Sequence, residues 1–336
     1  MQDSENTDER TPSAIIVTCM ESGHLESQTL RMIQSVRNWG GRFAQFPVYA
    51  VTPRFGPPLQ KTTLKSYDRL NVTHLRVKAD SNYAWYNFTN KPAALLAAEA
   101  VKKVDQVIWL DADLLVVSEP ADVLLKPGED FTACPTEKNV ATTGPDDPYN
   151  GYWLAMCEAV GIAIDDIPYV TEFRSQQRIR MYFNSGVFTY RPETGLAEAY
   201  RQATERLMDA RIQLPKDKIF YHEQSAVGLA AVKNKLRIRM LSESCNYHLG
   251  SMTLEHVVPE KFRSASILHY HRSMQPDRWK QFLPLIQTND PAVGAWLAPQ
   301  GPLQYRVTPW KQAVNKWVRF SRKRSSDAYL AACRTV

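Results

Sequence analysis

Between Gln106 and Val117 the chain reads QVIWLDADLLVV, an apolar run broken only by Asp111 and Asp113 on either side of Ala112. Two carboxylates are expensive in such a setting unless a positive group meets them, and a bound divalent cation is the commonest partner. Side chains at i and i+2 of a strand point the same way, so the pair can face one ion even if the strand runs on to Asp113. The plainer reading is a loop or cap pair at a strand end.

The surroundings favour a sheet. Ala14 to Val17 reads as a buried strand, followed by a helix with Leu30, Ile33 and Val36 on one face that ends near Gly40-Gly41. Pro47 to Val51 and Val72 to Val77 read as strands separated by a turn-rich stretch holding Pro53, Gly56, Pro57 and Pro58. Asn90-Lys91-Pro92 opens an alanine-rich helix through Lys103, and the strand Gln106 to Leu110 follows. Such alternation predicts an α/β fold, a Rossmann-like, mostly parallel sheet with helices on both faces. Ligands of such sheets lie beyond the carboxyl ends of the strands, where Asp111 and Asp113 fall.

Further along, Tyr182 to Tyr190 reads as a strand containing Gly186, a residue that in strands often marks close backbone approach. Helices are expected at Tyr152 to Val160, Leu196 to Met208 and His222 to Ala231, and a strand at Ser266 to Tyr270. The Gly- and Pro-rich residues 144–170 read as a substrate-facing excursion.

At 336 residues the chain can bury a full core, and its net charge of +6 suits an anionic partner without choosing among nucleotide, membrane and nucleic acid. Cys19, Cys134, Cys157, Cys245 and Cys333 form no CxxC pair, so neither a zinc site nor a disulfide framework is signalled. Residues 1–13 are polar and read as disordered. The start has no leader pattern and no run of 18 apolar residues occurs, from which a cytoplasmic location is expected. Asn71-Val-Thr73 and Asn87-Phe-Thr89 match the glycosylation pattern and are read as accidental. No stacked-aromatic motif, zinc finger or helix-turn-helix supports a nucleic-acid partner.

His269, in Ile267-Leu-His-Tyr-His271 at a strand end, is the natural third ligand to the carboxylates. Carboxylate oxygens, one imidazole and phosphate oxygens suit manganese, with magnesium close behind. Three segments now carry a likeness: Val107 to Val117, Phe183-Asn-Ser-Gly-Val-Phe188, and Ile267 to Trp279. In order and spacing they resemble the glycogenin-like, retaining nucleotide-sugar glycosyltransferases, glycosyltransferase family eight, which have the GT-A fold.

The resemblance covers about residues 14–285. It implies transfer of a hexose from a nucleotide sugar, UDP-glucose or UDP-galactose, to a hydroxyl acceptor with retention. Asp111, Asp113 and His269 would hold a metal bridging the donor phosphates, with Ala112 between them in the donor site. Lys91 would reach the phosphates or the sugar, Thr18 would lie where the nucleobase is seated, and Asn184 with Ser185 would line the sugar pocket. Glu223 and Gln224, following His222, occupy the place of the family's Asp-Gln pair beneath the reacting carbon. Glu223 and Gln224 are therefore the catalytic candidates.

The likeness has gaps. His269-Tyr-His-Arg272 and Pro276-Asp277-Arg278-Trp279 stand where the family has His-Phe-x-Gly and Lys-Pro-Trp. Arg272 or Arg278 is the candidate replacement for the missing lysine. Lys91 has a plain alternative as a solvated helix-start lysine, and Glu223 and Gln224 as first-turn helix residues. Rival functions are a non-catalytic GT-A domain that binds nucleotide sugar or glycan, and a metal-dependent nucleotidyltransferase or phosphohydrolase.

Residues 286–336 form a basic extension. Trp310, Ala313, Val314, Trp317 and Val318 recur at helical spacing among Lys311, Lys316, Arg319, Arg322, Lys323 and Arg324. Such a helix either packs on its own domain or lies peripherally at a membrane surface, where a lipid-linked acceptor would be met.

Overall fold

The structure is a computed structural model that describes residues 13–249, 257–305 and 307–336. The expectation for residues 1–13 lies, apart from Ser13, outside the described residues. Strands β1 (Ala14–Cys19), β2 (Val48–Thr52), β3 (Val72–Arg76) and β4 (Gln106–Leu110) alternate with helices α1 (His24–Trp39), α2 (Lys61–Leu70) and α3 (Asn90–Val101). Then come β5 (Leu114–Val116), β6 (Phe131–Pro135), α4 (Asn150–Val160), the hairpin strands β7 (Tyr169–Thr171) and β8 (Arg178–Arg180), and the long β9 (Phe183–Tyr190). The next stretch holds α5 (Leu196–Asp209), β10 (Ile212–Gln213), α6 (His222–Lys233), β11 (Ile238–Met240), β12 (Tyr247–His248), α7 (Pro259–Ser264) and β13 (Ile267–His269). Helices α8 (Trp279–Asn289), α9 (Pro291–Leu297) and α10 (Pro309–Ala331) precede the short β14 (Arg334–Thr335).

Seven strands form the main sheet in the order β11-β6-β9-β4-β1-β2-β3. All neighbours are parallel except β9, which runs antiparallel between β4 and β6. Alternation within β1 explains the two-sided burial: Ile15 and Val17 join the cluster packed by α3 to α6, while Ala14 and Ile16 face Met32, Ile33 and Val36 of α1. The fold is thus the expected α/β arrangement with a mostly parallel sheet.

Two expectations change. The apolar run from Gln106 to Val117 is not one strand: β4 ends at Leu110, and β5 belongs to a second, three-stranded sheet ordered β12-β13-β5. Helix α2 occupies part of the stretch read as turns, because only Thr63 and Tyr67 are buried and the apolar period is too sparse to announce a helix.

The expected boundary at residue 285 lies inside α8, whose Phe282 and Ile286 share a core with Val293 and Leu297 of α9. Helix α10 docks through Val318 and Tyr329 while Trp310 and Trp317 of the expected stripe stay exposed. Tyr329 packs with Tyr86, Met208 and Ile219, and its hydroxyl donates to the Met208 carbonyl at 2.6 Å. Among the described residues no helix is long and apolar enough to cross a membrane.

Candidate functional site

Asp111 and Asp113 lie in the turn that carries the chain from the large sheet to the small one. At its start the Asp111 amide donates to the Gly186 carbonyl of β9 at 2.9 Å; at its end the Tyr270 amide donates to the Asp113 carbonyl at 3.1 Å. Register then brings in the histidine. β13 runs antiparallel to β5 with His269 opposite Leu114, the residue after Asp113. His269 Nε2 consequently lies 3.3 Å from Asp113 Oδ1, and ligand atoms of Asp111, Asp113 and His269 all fall within 4.8 Å of one another.

The ring of His269 is held in one orientation by a chain of amides. Asn184 Oδ1 accepts from the Gly186 backbone N–H at 2.8 Å, which fixes which end of that amide is oxygen. Asn246 Nδ2 must then be the donor to Asn184, also at 2.8 Å, and Asn246 Oδ1 faces His269 Nδ1 at 3.0 Å. The proton therefore belongs on Nδ1, leaving the Nε2 lone pair directed at the carboxylates, as metal-ligating imidazoles require. Gly186 allows the close approach: a Cβ there would lie 2.8 Å from His269 Cε1 and 2.7 Å from Asn184 Oδ1. An oriented imidazole lone pair beside two carboxylates fits a divalent cation.

Behind Asp111 is a buried ionic group. Lys91, the second residue of α3, is 8% exposed, which removes the solvated-lysine alternative. Its Nζ donates to Asp111 Oδ2 at 3.1 Å, to Ser185 Oγ at 2.8 Å and to the Ser185 carbonyl at 3.0 Å, and lies 3.6 Å from Glu223 Oε1. Trp109 donates from Nε1 to Asp111 Oδ1 at 2.8 Å and places its ring 5.7 Å from the ammonium. Burial works against the charge of Lys91, but Asp111 and then Glu223 outweigh it and raise its pKa. Burial raises the pKa of Glu223 against the pull of Lys91 and of the Tyr200 hydroxyl, which donates to it. For Asp113, burial is likewise opposed and overcome: His269 and His271 hold its carboxyl well below the ordinary range.

An open cleft of about 790 Å³ runs over this group, lined by Asp111, Ala112, Asp113, Lys91, Trp109 and Arg272 among others. The other expected residues are placed differently. Thr18 is wholly buried and Cys19 lines the cleft instead, since neighbouring strand residues point to opposite faces. Asn184 and Ser185 are buried as supports of His269 and Lys91 and do not line the cleft. Glu223 lies beneath Lys91, and neither it nor Gln224 lines the cleft. Arg272 alone of these stays at the cleft, exposed and 3.6 Å from Asp277. None of residues 144–170 lines this cleft, so the excursion does not face it.

Sequence reasoning overlooked His271, Asn246 and the contribution of α10 to this cleft. Arg319 and Arg322 of α10 line the cleft, and Arg322 Nη1 lies 3.4 Å from Glu21 Oε2. Glu21 also pairs with Arg54 and accepts from Asn90 Nδ2 at 2.8 Å, so α10 is tied to the cleft wall through one carboxylate. The basic spacing along α10 was visible, but nothing local said which residues face the cleft.

The mostly parallel sheet with an acidic turn at its carboxyl edge is a fold similar to that of GT-A glycosyltransferases. Residues 16–234 match the Rhodobacterales glycosyltransferase domain family, well over half of the chain, and the protein belongs to that family. It carries a glycosyltransferase domain. Among solved structures it is similar to the apo bifunctional glycosyltransferase WbbM, with TM-score 0.50 and 12% identity over 92% of this chain and 52% of that one. The chain thus spans about half the length of WbbM, and at this identity the likeness concerns the fold. An active-site variant of LgtC aligns with TM-score 0.47 and 13% identity, over 81% of this chain and 95% of that one. No curated protein matches the sequence.

Proposed function

We propose that the protein is a metal-dependent hexosyltransferase of glycosyltransferase family eight. It takes a hexosyl unit from a UDP-linked donor, UDP-glucose or UDP-galactose, and passes it with retention to a hydroxyl acceptor. The observation that carries this reading is the convergence of Asp111, Asp113 and the buried His269 within 4.8 Å, the two carboxylates lining a cleft large enough for a nucleotide sugar.

The residues support distinct roles. Asp111, Asp113 and the Nε2 of His269 would hold manganese or magnesium, which when bound ties the two phosphates and offsets charge on the departing nucleoside diphosphate. Lys91 is a second positive charge at the same edge; with its three N–H donors engaged by Asp111 and Ser185, it would act on the donor phosphates through its charge, or by exchanging one of those partners. Ala112, with no side chain beyond Cβ, leaves the donor room to lie against the turn. Arg272 and Arg319, both lining the cleft, offer guanidinium groups for the phosphates.

Retention is assigned to attack on the face from which the diphosphate leaves. Glu223 supports this because its carboxylate is engaged by Lys91, Tyr200 and Ser185 and is not turned to the cleft as a nucleophile would be. Gln224, half-buried beside it and outside the cleft lining, would have to turn toward the cleft to sit beneath the reacting carbon. Exposed Trp310, Trp317 and Phe320 on the basic α10, with Phe55 beside Trp317, favour a lipid-linked acceptor met at a membrane surface.

Incubation with a panel of nucleotide sugars and manganese tests the donor. UDP release from UDP-glucose or UDP-galactose, abolished in Asp113→Ala with the fold retained, is the expected result. Silence across the panel with undiminished UDP binding would return the protein to a binding role, and release of sugar 1-phosphate would mark a phosphohydrolase.

A further inference from the structure

A second hollow, of about 330 Å³, lies between α1 and the segment that follows α9, and no residue lines both it and the cleft. Ser27, Arg31 and Gln34 of α1 form one side, and Gln300, Gly301 and Gln304 are on the other. Arg31 is 7% exposed, so its charged group is almost wholly withdrawn from bulk water.

A buried guanidinium is ordinarily matched by a carboxylate, because an ion taken out of water without a partner is costly. Among the described residues Arg31 has no such partner, and no acidic residue lines the hollow. The acceptors that do meet it are weak. Nη1 and Nη2 share the single carbonyl of Gly301 at 3.4 and 3.3 Å, and Nη1 lies 4.0 Å from the Met274 sulfur. Burial accordingly works against the charge of Arg31, with Tyr270 opposing it, and lowers its pKa.

The wall opposite α1 is held in place. Ser27 Oγ donates to the Gln304 carbonyl at 2.6 Å, and the Leu303 amide donates to the Met274 carbonyl at 2.8 Å, which pins residues 301–304 from two sides. Gly301 begins this segment at a φ of +64°, the left-handed region that favours glycine. The side chains of Gln34 and Gln304 add amide N–H donors to the lining and bring no negative charge.

We propose that this hollow is a phosphate-ester site, separate from the donor cleft, in which the Arg31 fork grips the phosphate oxygens and the amides of Gln34 and Gln304 complete the contact. A bidentate fork is the geometry in which a guanidinium best meets phosphate, and the anion brings the countercharge that the surrounding side chains do not. The space exceeds what a bare phosphate needs, so the organic part of an ester fits beside it. A soluble phosphate ester and a lipid headgroup share this chemistry. The inference depends on neither the donor nor the metal.

Calorimetric titration of the full chain with inorganic phosphate and with glycerol 3-phosphate, in chelator and without divalent metal, tests it apart from any turnover. Wild type is expected to bind both. Arg31→Met keeps the apolar stem and removes the charge, and its affinity is expected to fall by about tenfold or more. Arg319→Ala, which takes a cation from the cleft, should bind phosphate as wild type does. Phosphate should also raise the melting temperature of wild type and not that of Arg31→Met. Should Arg31→Met fail to fold, Arg31→Gln, which still donates to the Gly301 carbonyl, serves for the same comparison.

No binding by wild type, or equal affinity in wild type and the Arg31 variant, would overturn the inference. So would loss of phosphate in Arg319→Ala with retention in the Arg31 variant, which assigns the anion to the cleft. Phosphatidylcholine vesicles with and without phosphatidic acid separate the two sources. Arg31-dependent binding to the acidic vesicles, competed by glycerol 3-phosphate, supports the site as a lipid headgroup seat. Arg31-dependent binding of glycerol 3-phosphate with both vesicles ignored supports it as a seat for a soluble ester.

Discussion

Lys91 donates from Nζ to Asp111 Oδ2 at 3.1 Å, so the cationic arm of the cleft and one of its acidic residues are a buried pair before any ligand arrives. With Glu223 Oε1 at 3.6 Å on the other side, removing the ammonium strands two carboxylates. Lys91→Met is expected to cost about 3–5 kcal/mol of stability, as for other buried pairs broken on one side. Turnover should fall by about 10²-fold or more, since a pre-aimed charge is lost from the leaving group. Chemical denaturation and UDP release measured on the same protein check both; a stability loss below about 1 kcal/mol would mean the pair is solvated.

Asn246 makes no contact with the cleft yet sets the tautomer of His269. In Asn246→Leu the Nδ1 proton loses its acceptor, and Nε2 is no longer reserved for the cation. Metal affinity is expected to drop by about 10- to 100-fold, the usual cost of losing a partner behind a metal-bound histidine. Asn246→Asp, which still accepts from Nδ1, should retain most of it. Calorimetric titration with manganese distinguishes the two; equal affinity in wild type and Asn246→Leu would detach Asn246 from the site.

Gly186 is needed for space and not for backbone freedom. A Cβ at this position would press on His269 Cε1 at 2.8 Å and on Asn184 Oδ1 at 2.7 Å, inside a strand whose neighbours on both sides are fixed. Gly186→Ala should therefore displace the His269 ring. We expect about 1–3 kcal/mol of destabilisation from overpacking, and a rise in the manganese concentration needed for half-maximal turnover. A variant with normal metal dependence would show that the ring can yield without cost.

How much of this was legible in the sequence follows from how local each signal is. β1, β4 and β9 announce themselves as apolar runs, and α1, α5 and α6 by their length and spacing, because a sheet covered on both sides leaves its strands uniformly apolar. Asp111 and Asp113 stand out because charge is rare in such a run. α2 did not stand out, since so little of its surface is buried. Asn246 and His271 carried no local signal at all: one acts through an amide chain running from Gly186 to His269, the other through a left-handed turn. Glu223 shows the converse: the resemblance made it a catalytic candidate, and the structure buries it as the partner of Lys91 and Tyr200.

His222 should make the protein acid-sensitive. It is fully buried at the start of α6, stacked on Tyr152 with centroids 6.0 Å apart, and neither ring nitrogen has a hydrogen-bond partner among the described residues. Burial pushes its pKa down to about 3. Between that value and the unfolded value of about 6.5 the folded chain binds fewer protons than the unfolded one. Stability is thus complete above about pH 6.5 and is lost as pH falls toward 3, by on the order of 5 kcal/mol in all. His222→Phe keeps the stacking and removes the titration. Urea melts at pH 7 and pH 5 should show a smaller acid loss in the variant, and an identical loss would assign acid sensitivity elsewhere.

Helix α10 carries the last prediction, because it contributes to a cleft whose other walls are far away in sequence. Its anchors include Tyr329 against Tyr83, Trp85 and the Met208 carbonyl, Arg322 against Glu21, the buried Val318, and Lys311 on the Pro58 carbonyl. About one turn before Arg322, Arg319 lines the cleft, and no ion-pair partner for it appears among the described residues. Arg319→Ala should leave stability within about 0.5 kcal/mol, as for other exposed positions. It should weaken UDP binding by roughly tenfold, the effect of one charge-assisted contact. Tyr329→Ala should act differently, costing about 3 kcal/mol by opening a buried aromatic cluster and weakening UDP only as α10 loosens. Fluorescence titration with UDP separates the cases, since a direct contact lowers affinity at constant stability and an anchor lowers both. Wild-type affinity in Arg319→Ala would mean that α10 bounds the cleft without touching the nucleotide.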